Sequence, residues 1–299
     1  MLIRKLQCGA AYLATRLLPK HFRKSAFISF ITPNISFRHE RPPLKKDKPI
    51  DVAFCFDKNL VKYAAVLITS LVDVSKGRCD YSIHCVVDKT VDEEDKSLLQ
   101  GLTNGDSTLN FLEANDDFGR SVRNKWPVSV YYRLMLPKLL PKLDRIIYAD
   151  IDAVFVNDLV EASVIDLKNY LVAGVPNKDQ KDYINSGFLI MNLKQIRREN
   201  IYEKWIKASN AESLKYPDQD VLNLVCKNRI YFLPRKYNFS PKDTFRLILH
   251  ADACSEKDFS DLKYHTVFVH FHGNKKPWQE KKLYLSHIWQ YYADKTGLF

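Results

Sequence analysis

The feature that most constrains the fold of this chain is an alternation of short apolar runs with helix-periodic segments, which begins at residue 50. Short apolar runs rich in β-branched residues predict buried strands, and apolar residues at the helical period predict the helices between them. The series predicts an α/β fold that binds ligands at the carboxyl ends of its strands. Strands are predicted at residues 50–56, 81–87, 108–112, 144–149, 171–175, 186–192 and 266–271, and helices at 59–74, 93–102, 128–140, 193–208, 218–227 and 283–293.

The positive charge of the chain is concentrated in its first 49 residues. This segment holds eleven Lys and Arg against two Asp and Glu, whereas residues 50–299 hold 35 against 33. A nearly neutral body lacks the basic surface expected of a nucleic-acid-binding protein. The charged, proline-containing stretch 39–49 predicts a boundary. We therefore expect a basic extension at 1–49, a folded domain at 50–280 and a C-terminal helix at 281–299.

The basic extension has the pattern of an amphipathic helix, with apolar residues that include Leu6, Leu13 and Leu17. Its basic residues interrupt any run long enough to span a bilayer, and residues 6–18 are too broken for a signal-peptide core. Such a helix can lie on an anionic membrane surface. The alternatives are a solvated tail and a helix packed on the body. The six cysteines show no C-x-x-C pairing, which predicts reduced, mostly buried thiols in a cytoplasmic protein.

Two carboxylates one residue apart, Asp150 and Asp152, follow the predicted strand 144–149. At this spacing both side chains can turn toward one point, where their mutual repulsion favours a cation between them. A divalent metal with oxygen ligands fits such a pair. The alternative is a solvated turn at a strand end, where Asp is common.

A second polar cluster lies at the end of the last predicted strand, where His270 is followed by Gly273 and Lys276. This order suits a metal ligand, a close backbone approach to a phosphate and a cation for that phosphate. His270 and His272 point to the same side of an extended chain, so either could reach a metal. The alternative is a histidine that only packs in the core. No G-x-G-x-x-G or Walker sequence follows a predicted strand, which argues against a classical dinucleotide site and a P-loop.

Two further polar segments allow a functional and a structural interpretation. Asn185 opens a predicted strand and could present its amide to a sugar hydroxyl, although a turn before a core strand also explains it. Asp218 and Gln219 open a predicted helix, where an acidic residue interacts favourably with the helix dipole. That role would account for the carboxylate without any function.

In this order, the segments resemble those of glycosyltransferase family 8, above all the bacterial galactosyl- and glucosyltransferases that build lipopolysaccharide or lipooligosaccharide outer cores. The likeness runs from about residue 50 to residue 278 and assigns 50–280 to a catalytic domain. It implies a single Rossmann-like fold of the A type, with a mixed central sheet and flanking helices. It also implies a retaining, metal-dependent enzyme that moves glucose or galactose from a UDP-sugar to a saccharide.

The resemblance implies a role for each matching residue. The implied uridine contacts are Cys55, Phe56, Asp57 and Asn59. The implied donor and diphosphate contacts are Arg133, Asp150, Ile151, Gly273 and Lys276. The implied metal ligands are Asp150, Asp152 and His270, and the histidine favours Mn²⁺ over the alternative Mg²⁺. The implied hexose contacts are Asn185, Asp218 and Gln219.

One position departs from the family pattern. The family often stacks a tyrosine on uracil where this chain has Leu60, so uracil binds more weakly or Tyr63 substitutes. Gln219, at the family position nearest the anomeric carbon, is a poor nucleophile. The expected mechanism is therefore front-face attack by the acceptor hydroxyl, with the departing phosphate oxygen as base and Asp218 orienting the sugar.

The implied acceptor is the lipopolysaccharide outer core or a related surface glycan. Such an acceptor is reached at the cytoplasmic face of the inner membrane, where the basic extension could bind anionic lipid. Aromatic residues of the last predicted helix could also lie at this interface; they are Tyr284, Trp289, Tyr291 and Tyr292. The alternatives are a glycogenin-like enzyme that acts on a protein or soluble glycan, and a catalytically silent binder of sugar nucleotides.

Overall fold

The structure of the chain, a computed structural model, describes residues 48–103, 107–118, 127–177, 180–241, 265–280 and 283–299. The strands are β1 (Ile50–Cys55), β2 (Tyr81–Val87), β3 (Thr108–Glu113), β4 (Ile146–Ala149), β5 (Ala153–Phe155), β6 (Val172–Asn177), β7 (Gln180–Met191), β8 (Ile230–Phe232) and β9 (Phe268–His270). The helices are α1 (Val61–Ser75), α2 (Glu93–Gln100), α3 (Tyr132–Leu139), α4 (Val160–Ser163), α5 (Leu193–Arg198), α6 (Ile201–Ser209), α7 (Pro217–Val225) and α8 (Ser286–Thr296). Short 3₁₀ turns lie at Lys58–Leu60, Val128–Tyr131 and Arg235–Tyr237.

Seven of these strands form one mixed sheet in the order β3-β2-β1-β4-β7-β6-β8. Strands β1 to β4 are parallel where they pair, β7 is antiparallel to both β4 and β6, and β8 is parallel to β6. The prediction of an α/β protein with a mixed central sheet is confirmed. A separate antiparallel pair joins β5 to β9 and places His270 opposite Ala153. This pair brings two segments far apart in sequence to the end of β4.

The sheet has a core on each face because neighbouring residues of a strand point to opposite sides. Along β1 and at the residue directly after it, Val52, Phe54 and Phe56 enter one core together with α1. The alternating residues Ala53 and Cys55 enter the other core, which includes α3 and α6. Both cores contain fully buried aromatic and aliphatic side chains. The carboxyl ends of β1 and β4 are therefore supported by packing on both faces of the sheet.

Several predicted elements differ from the observed ones. The predicted helix 193–208 is two helices, α5 and α6, because Asn200 between them adopts a left-handed backbone with φ of 51°. The predicted strand 186–192 begins earlier, at Gln180, because pairing with β6 extends it. The three-residue strand β5 was not predicted; its pairing with β9, more than a hundred residues later in the chain, decides its conformation.

The aromatic residues of the C-terminal helix serve mainly in packing. Trp289 and Tyr292 are buried in a cluster that α8 forms with α1 and β5, and Tyr291 is exposed. The expectation that Trp289 and Tyr292 face a membrane is therefore wrong in this structure. The predicted helix within residues 1–47 lies outside the described residues. Within the described ranges, no helix is both long and apolar enough to cross a bilayer.

The cysteines within the described ranges are buried free thiols, as predicted: Cys55, Cys79, Cys85 and Cys226.

Candidate active site

Strand β4 ends directly at the first carboxylate of the predicted pair. The N–H of Asp150 donates to the carbonyl oxygen of Gly187 at 2.9 Å, which holds this residue against β7. Its carboxylate accepts from the hydroxyl of Tyr148 at 2.6 Å and pairs with the guanidinium of Arg133 at 2.9 Å. Asp150 is therefore not a solvated turn residue, since a buried arginine fixes its side chain.

The β5–β9 pair brings His270 to the two carboxylates. Its Nε2 lies 3.0 Å from Asp152 Oδ1 and 3.7 Å from Asp150 Oδ2. Each of the three side chains offers one ligand atom, and these atoms lie within 4.8 Å of one another. The ammonium of Lys276 contacts the other oxygen of Asp152. Burial would raise the pKa of Asp152, but the charges of His270 and Lys276 outweigh it and hold that pKa well below its usual range.

A chain of hydrogen bonds places a proton on Nδ1 of His270. The N–H of Gly187 donates to Asn185 Oδ1 at 2.9 Å, and Asn238 Nδ2 donates to the same oxygen at 2.7 Å. Because the side-chain nitrogen of Asn238 faces Asn185, its side-chain oxygen faces His270 and accepts from Nδ1 at 2.9 Å. A proton fixed on Nδ1 leaves Nε2 as the nitrogen that can offer a lone pair to a cation between the carboxylates, as in a metal-binding histidine.

Gly187 is the residue that makes room for this imidazole. A Cβ at this position would lie 2.2 Å from His270 Cε1 and 2.5 Å from Nδ1. Two carboxylates and one correctly oriented imidazole fit a divalent cation such as Mn²⁺ or Mg²⁺. The three ligand atoms, the proton on Nδ1 of His270 and the space left by Gly187 thus agree with the predicted metal ligands.

Arg133 connects the carboxylates to the predicted hexose residues. Its guanidinium is buried and pairs with Asp150 and, at 3.2 Å, with Asp218. It also donates to the carbonyl oxygen of Ser186 at 2.9 Å and lies 4.6 Å above the ring of Tyr148. Burial would lower the pKa of Arg133, but the two carboxylates raise it by more than burial lowers it. The residue therefore stays charged.

The predicted hexose residues are brought together by β7 and the first turn of α7. Gln219 Oε1 accepts from the Asn185 amide at 3.0 Å and from the N–H of Ser186 at 3.1 Å. Its Nε2 donates to the hydroxyl of Tyr183 at 3.1 Å. Asp218 accepts from the hydroxyl of Ser186 at 2.8 Å. Burial raises the pKa of Asp218, although the charge of Arg133 opposes the shift.

The predicted uridine residues lie at the end of β1, beside β4. Asp57 accepts from the N–H of Asn59 at 3.0 Å, and Asn59 is exposed. The side chain of Cys55 lies near Arg133 and Asp150, and burial raises its thiol pKa well above the usual value. The side chain of Phe56 is fully buried in the core, so only its backbone is available to a ligand.

Three other residues considered for the donor site differ in their surroundings. Ile151 is buried between the carboxylates. Leu60 is partly buried against the core. Tyr63, the suggested substitute for a uracil-stacking tyrosine, stacks on Trp278 at 4.0 Å between ring centroids. That face of the Tyr63 ring is therefore already covered.

The loop after β9 carries the remaining two predicted residues. Gly273 has a left-handed backbone with φ of 91°, which favours glycine. Lys276 donates to the carbonyl oxygen of Phe271 at 3.2 Å in addition to its contact with Asp152. His272, expected to be only a neighbour, belongs to no metal cluster among the described residues.

Four residues of this network were missed from the sequence: Tyr148, Tyr183, Ser186 and Asn238. Tyr148, Tyr183 and Ser186 lie within or beside the segments that the sequence marked around Asp150 and Asn185. Asn238 lies in no such segment, and nothing around it in the sequence signals a partner 32 residues away. Tyr148 lies two residues before Asp150, where alternation directs both side chains to one side of the strand.

Known proteins are similar to this chain in sequence and in fold. Residues 51–282 match the profile of "Glycosyl transferase family 8". A lipopolysaccharide 1,2-glucosyltransferase of Escherichia coli is 30% identical over 274 residues, which cover 83% of this chain and 79% of that protein. A putative glycosyltransferase of Haemophilus influenzae is 28% identical over 79% of this chain and 75% of that protein.

Solved structures agree in fold. The galactosyltransferase LgtC, in complex with donor and acceptor sugar analogs, has a TM-score of 0.72 at 21% identity, over 82% of this chain and 96% of that one. The bifunctional glycosyltransferase WbbM has a TM-score of 0.69 at 23% identity. The match covers 83% of this chain and 50% of that one. With a profile match over most of its length and a relative at 30% identity, this chain belongs to glycosyltransferase family 8.

Proposed function

We propose that this protein is a retaining hexosyltransferase that moves glucose or galactose from UDP to a saccharide acceptor. The observation that carries the proposal is the cluster of Asp150, Asp152 and His270 beside two cations, Arg133 and Lys276. A nucleoside diphosphate needs both a divalent cation and fixed positive charge around its leaving phosphates. Residues 50–280 are proposed as the catalytic domain.

The three clustered side chains would hold Mn²⁺, which suits a mixed set of oxygen and nitrogen ligands. Once bound, the cation would act as a Lewis acid that stabilises negative charge on the departing diphosphate. Lys276 and the backbone N–H of Gly273 would add positive potential from the loop after β9. Cys55, Phe56, Asp57 and Asn59 would surround the uridine, and Ile151 would contact the donor.

Gln219 would face the anomeric carbon, and hydrogen bonds to neighbouring residues already hold its amide. Its oxygen accepts two hydrogen bonds and its nitrogen donates one, which fixes the amide plane. A hydrogen-bonded amide is a poor nucleophile, so a front-face reaction is favoured. The acceptor oxygen bonds to the anomeric carbon as the phosphate oxygen leaves with the bonding electrons and takes the acceptor proton.

Asp218 and Asn185 would position the hexose during this step. Arg133 and Ser186 hold the carboxylate of Asp218, so it can accept from a sugar hydroxyl without moving. Asn185 is held by Asn238 and by the N–H of Gly187. These bonds preorganise the site before the donor binds.

The proposed acceptor is the lipopolysaccharide outer core or a related surface glycan. Support comes from the relatives, which include an E. coli lipopolysaccharide 1,2-glucosyltransferase and a Salmonella typhimurium lipopolysaccharide 1,3-galactosyltransferase that is 22% identical. The basic extension at 1–49 would hold the enzyme at the cytoplasmic face of an anionic membrane.

The test is UDP release from UDP-glucose and UDP-galactose with Mn²⁺, with Mg²⁺ and with a chelator. We expect turnover with one of the two sugars, loss of turnover with the chelator, and loss in Asp152→Asn. Asp144→Asn is the matched control, because this exposed carboxylate pairs at the surface with Lys194. Turnover that survives in the chelator or in Asp152→Asn would contradict the proposal, as would the absence of turnover with both sugars.

A further inference from the structure

A cavity of about 640 Å³ opens beside the proposed hexose site. The end of β6, the start of β7, the segment before α7 and the 3₁₀ turn Arg235–Tyr237 form its walls. Asn185 and Asn238 line it, and these residues also hold the imidazole of His270. The volume is typical of a site for a small ligand. A molecule in this cavity would therefore meet the hexose at Asn185, which is where an acceptor must enter.

The charge of this cavity is positive. Among the described residues that line it, Lys215 and Arg235 are cations and Asp220 is the carboxylate. The oxygens of Asp220 are already used, because they accept from the Tyr183 hydroxyl and from the N–H groups of Lys215 and Tyr216, at 2.7 and 2.8 Å for the two amides. Asp220 thus stabilises the wall without pairing with either cation, and the described lining keeps a net positive charge.

Neither cation forms an ion pair with another described residue. Within the described part of the chain, the half-buried guanidinium of Arg235 makes no ion pair or hydrogen bond, whereas its neighbour Lys236 pairs with Glu161. Lys215 is exposed, and its ammonium lies 5.4 Å from the ring centroid of Tyr216. A partly desolvated guanidinium gains most from an anion that accepts two parallel hydrogen bonds.

Tyr216 completes the site. Its side chain is 44% exposed at the rim of the cavity, which is high for an aromatic residue. An exposed tyrosine offers an apolar face for the C–H side of a sugar ring and a hydroxyl for its polar edge. An aromatic surface next to two cations is thus suited to an acidic sugar.

We propose that the acceptor carries an anionic group, a phosphate or a sugar carboxylate, that Arg235 and Lys215 bind in this cavity. This inference rests on the proposed function, since it identifies the substrate class of the same site. The anion would hold the acceptor so that its free hydroxyl reaches the hexose at Asn185. Both anions share the oxygen geometry that a guanidinium recognises.

The experiment compares the binding of glucose, glucose 6-phosphate and glucuronate by ligand-observed NMR, with the enzyme saturated by UDP and Mg²⁺ so that the diphosphate site is filled. We expect at least one anionic sugar to bind the natural protein about tenfold more tightly than glucose, as for a charge-assisted contact. The preference should weaken with added salt. Tighter binding of glucose 6-phosphate assigns a phosphate, and tighter binding of glucuronate assigns a carboxylate.

The variant Lys215→Gln/Arg235→Gln should bind all three sugars equally, with circular dichroism to verify folding. Lys227→Gln is the matched control, because this exposed lysine lines a neighbouring cavity and should keep the preference. Equal binding of the three sugars by the natural protein, no saturable binding, or a preference that survives in the double variant would overturn the inference. UDP release by the natural protein separates the two failures: without it the proposed function fails, and with it only the acceptor class does.

Discussion

Replacing Gly187 by alanine tests whether the imidazole of His270 must occupy the space that this glycine leaves. The added Cβ would lie 2.2 Å from His270 Cε1, 2.5 Å from Nδ1 and 2.9 Å from Asn185 Oδ1. Ordinary contacts between carbon atoms are about 3.5–4.0 Å, so the ring must move by roughly 1.3 Å. His270 is 2% exposed and cannot escape toward solvent.

The magnitude of this shift decides the outcome. A metal site tolerates only about 0.2 Å of error in its ligand distances, so a 1.3 Å shift removes one of three protein ligands. We expect Gly187→Ala to weaken Mn²⁺ binding about 10- to 100-fold, the range seen when the support of a ligand is lost. UDP release at limiting Mn²⁺ should fall by a similar factor. Overpacking should also cost about 1–3 kcal/mol of unfolding free energy.

Gly174→Ala separates lost metal binding from lost stability. Its Cβ would lie 2.6 Å from Cδ1 of Ile184, so it creates a comparable clash in the same hairpin without touching the imidazole. The assays are Mn²⁺ titration by calorimetry in the presence of UDP, UDP release and thermal unfolding. We expect both variants to lose stability and only Gly187→Ala to lose metal affinity. Natural Mn²⁺ affinity in a folded Gly187→Ala protein would refute the reasoning.

Two other predictions address the amide of Gln219 and the basic extension. Tyr183→Phe removes the hydroxyl that accepts from Gln219 Nε2, so kcat should fall about tenfold with an unchanged donor KM. The same change in a Gln219→Ala background should have no further effect, and additive losses would show that Tyr183 does not act through Gln219. Deleting residues 1–45 should release the protein from anionic vesicles in a sedimentation assay while UDP release persists. Continued vesicle binding by the truncated protein would exclude a membrane role for this segment.

The sequence by itself determined the class of fold and most of the polar residues now found together. Apolar runs and helical periods predicted the strands of the mixed sheet, because burial of one face or both faces leaves a local pattern. The short motifs around Asp150, His270 and Asp218 marked three segments that meet in the structure. Strand ends are local features, and in an α/β sheet the ends of neighbouring strands lie at one edge.

Only the tertiary structure decided how these residues are held and what surrounds them. The tautomer of His270 depends on Asn238 and Asn185, which are 53 residues apart. The burial of Phe56 and Trp289 and the joint position of Lys215 and Arg235 likewise follow from packing between distant segments. A local pattern records which face of an element is apolar. It does not record which other element covers that face, because this depends on the packing of the whole chain.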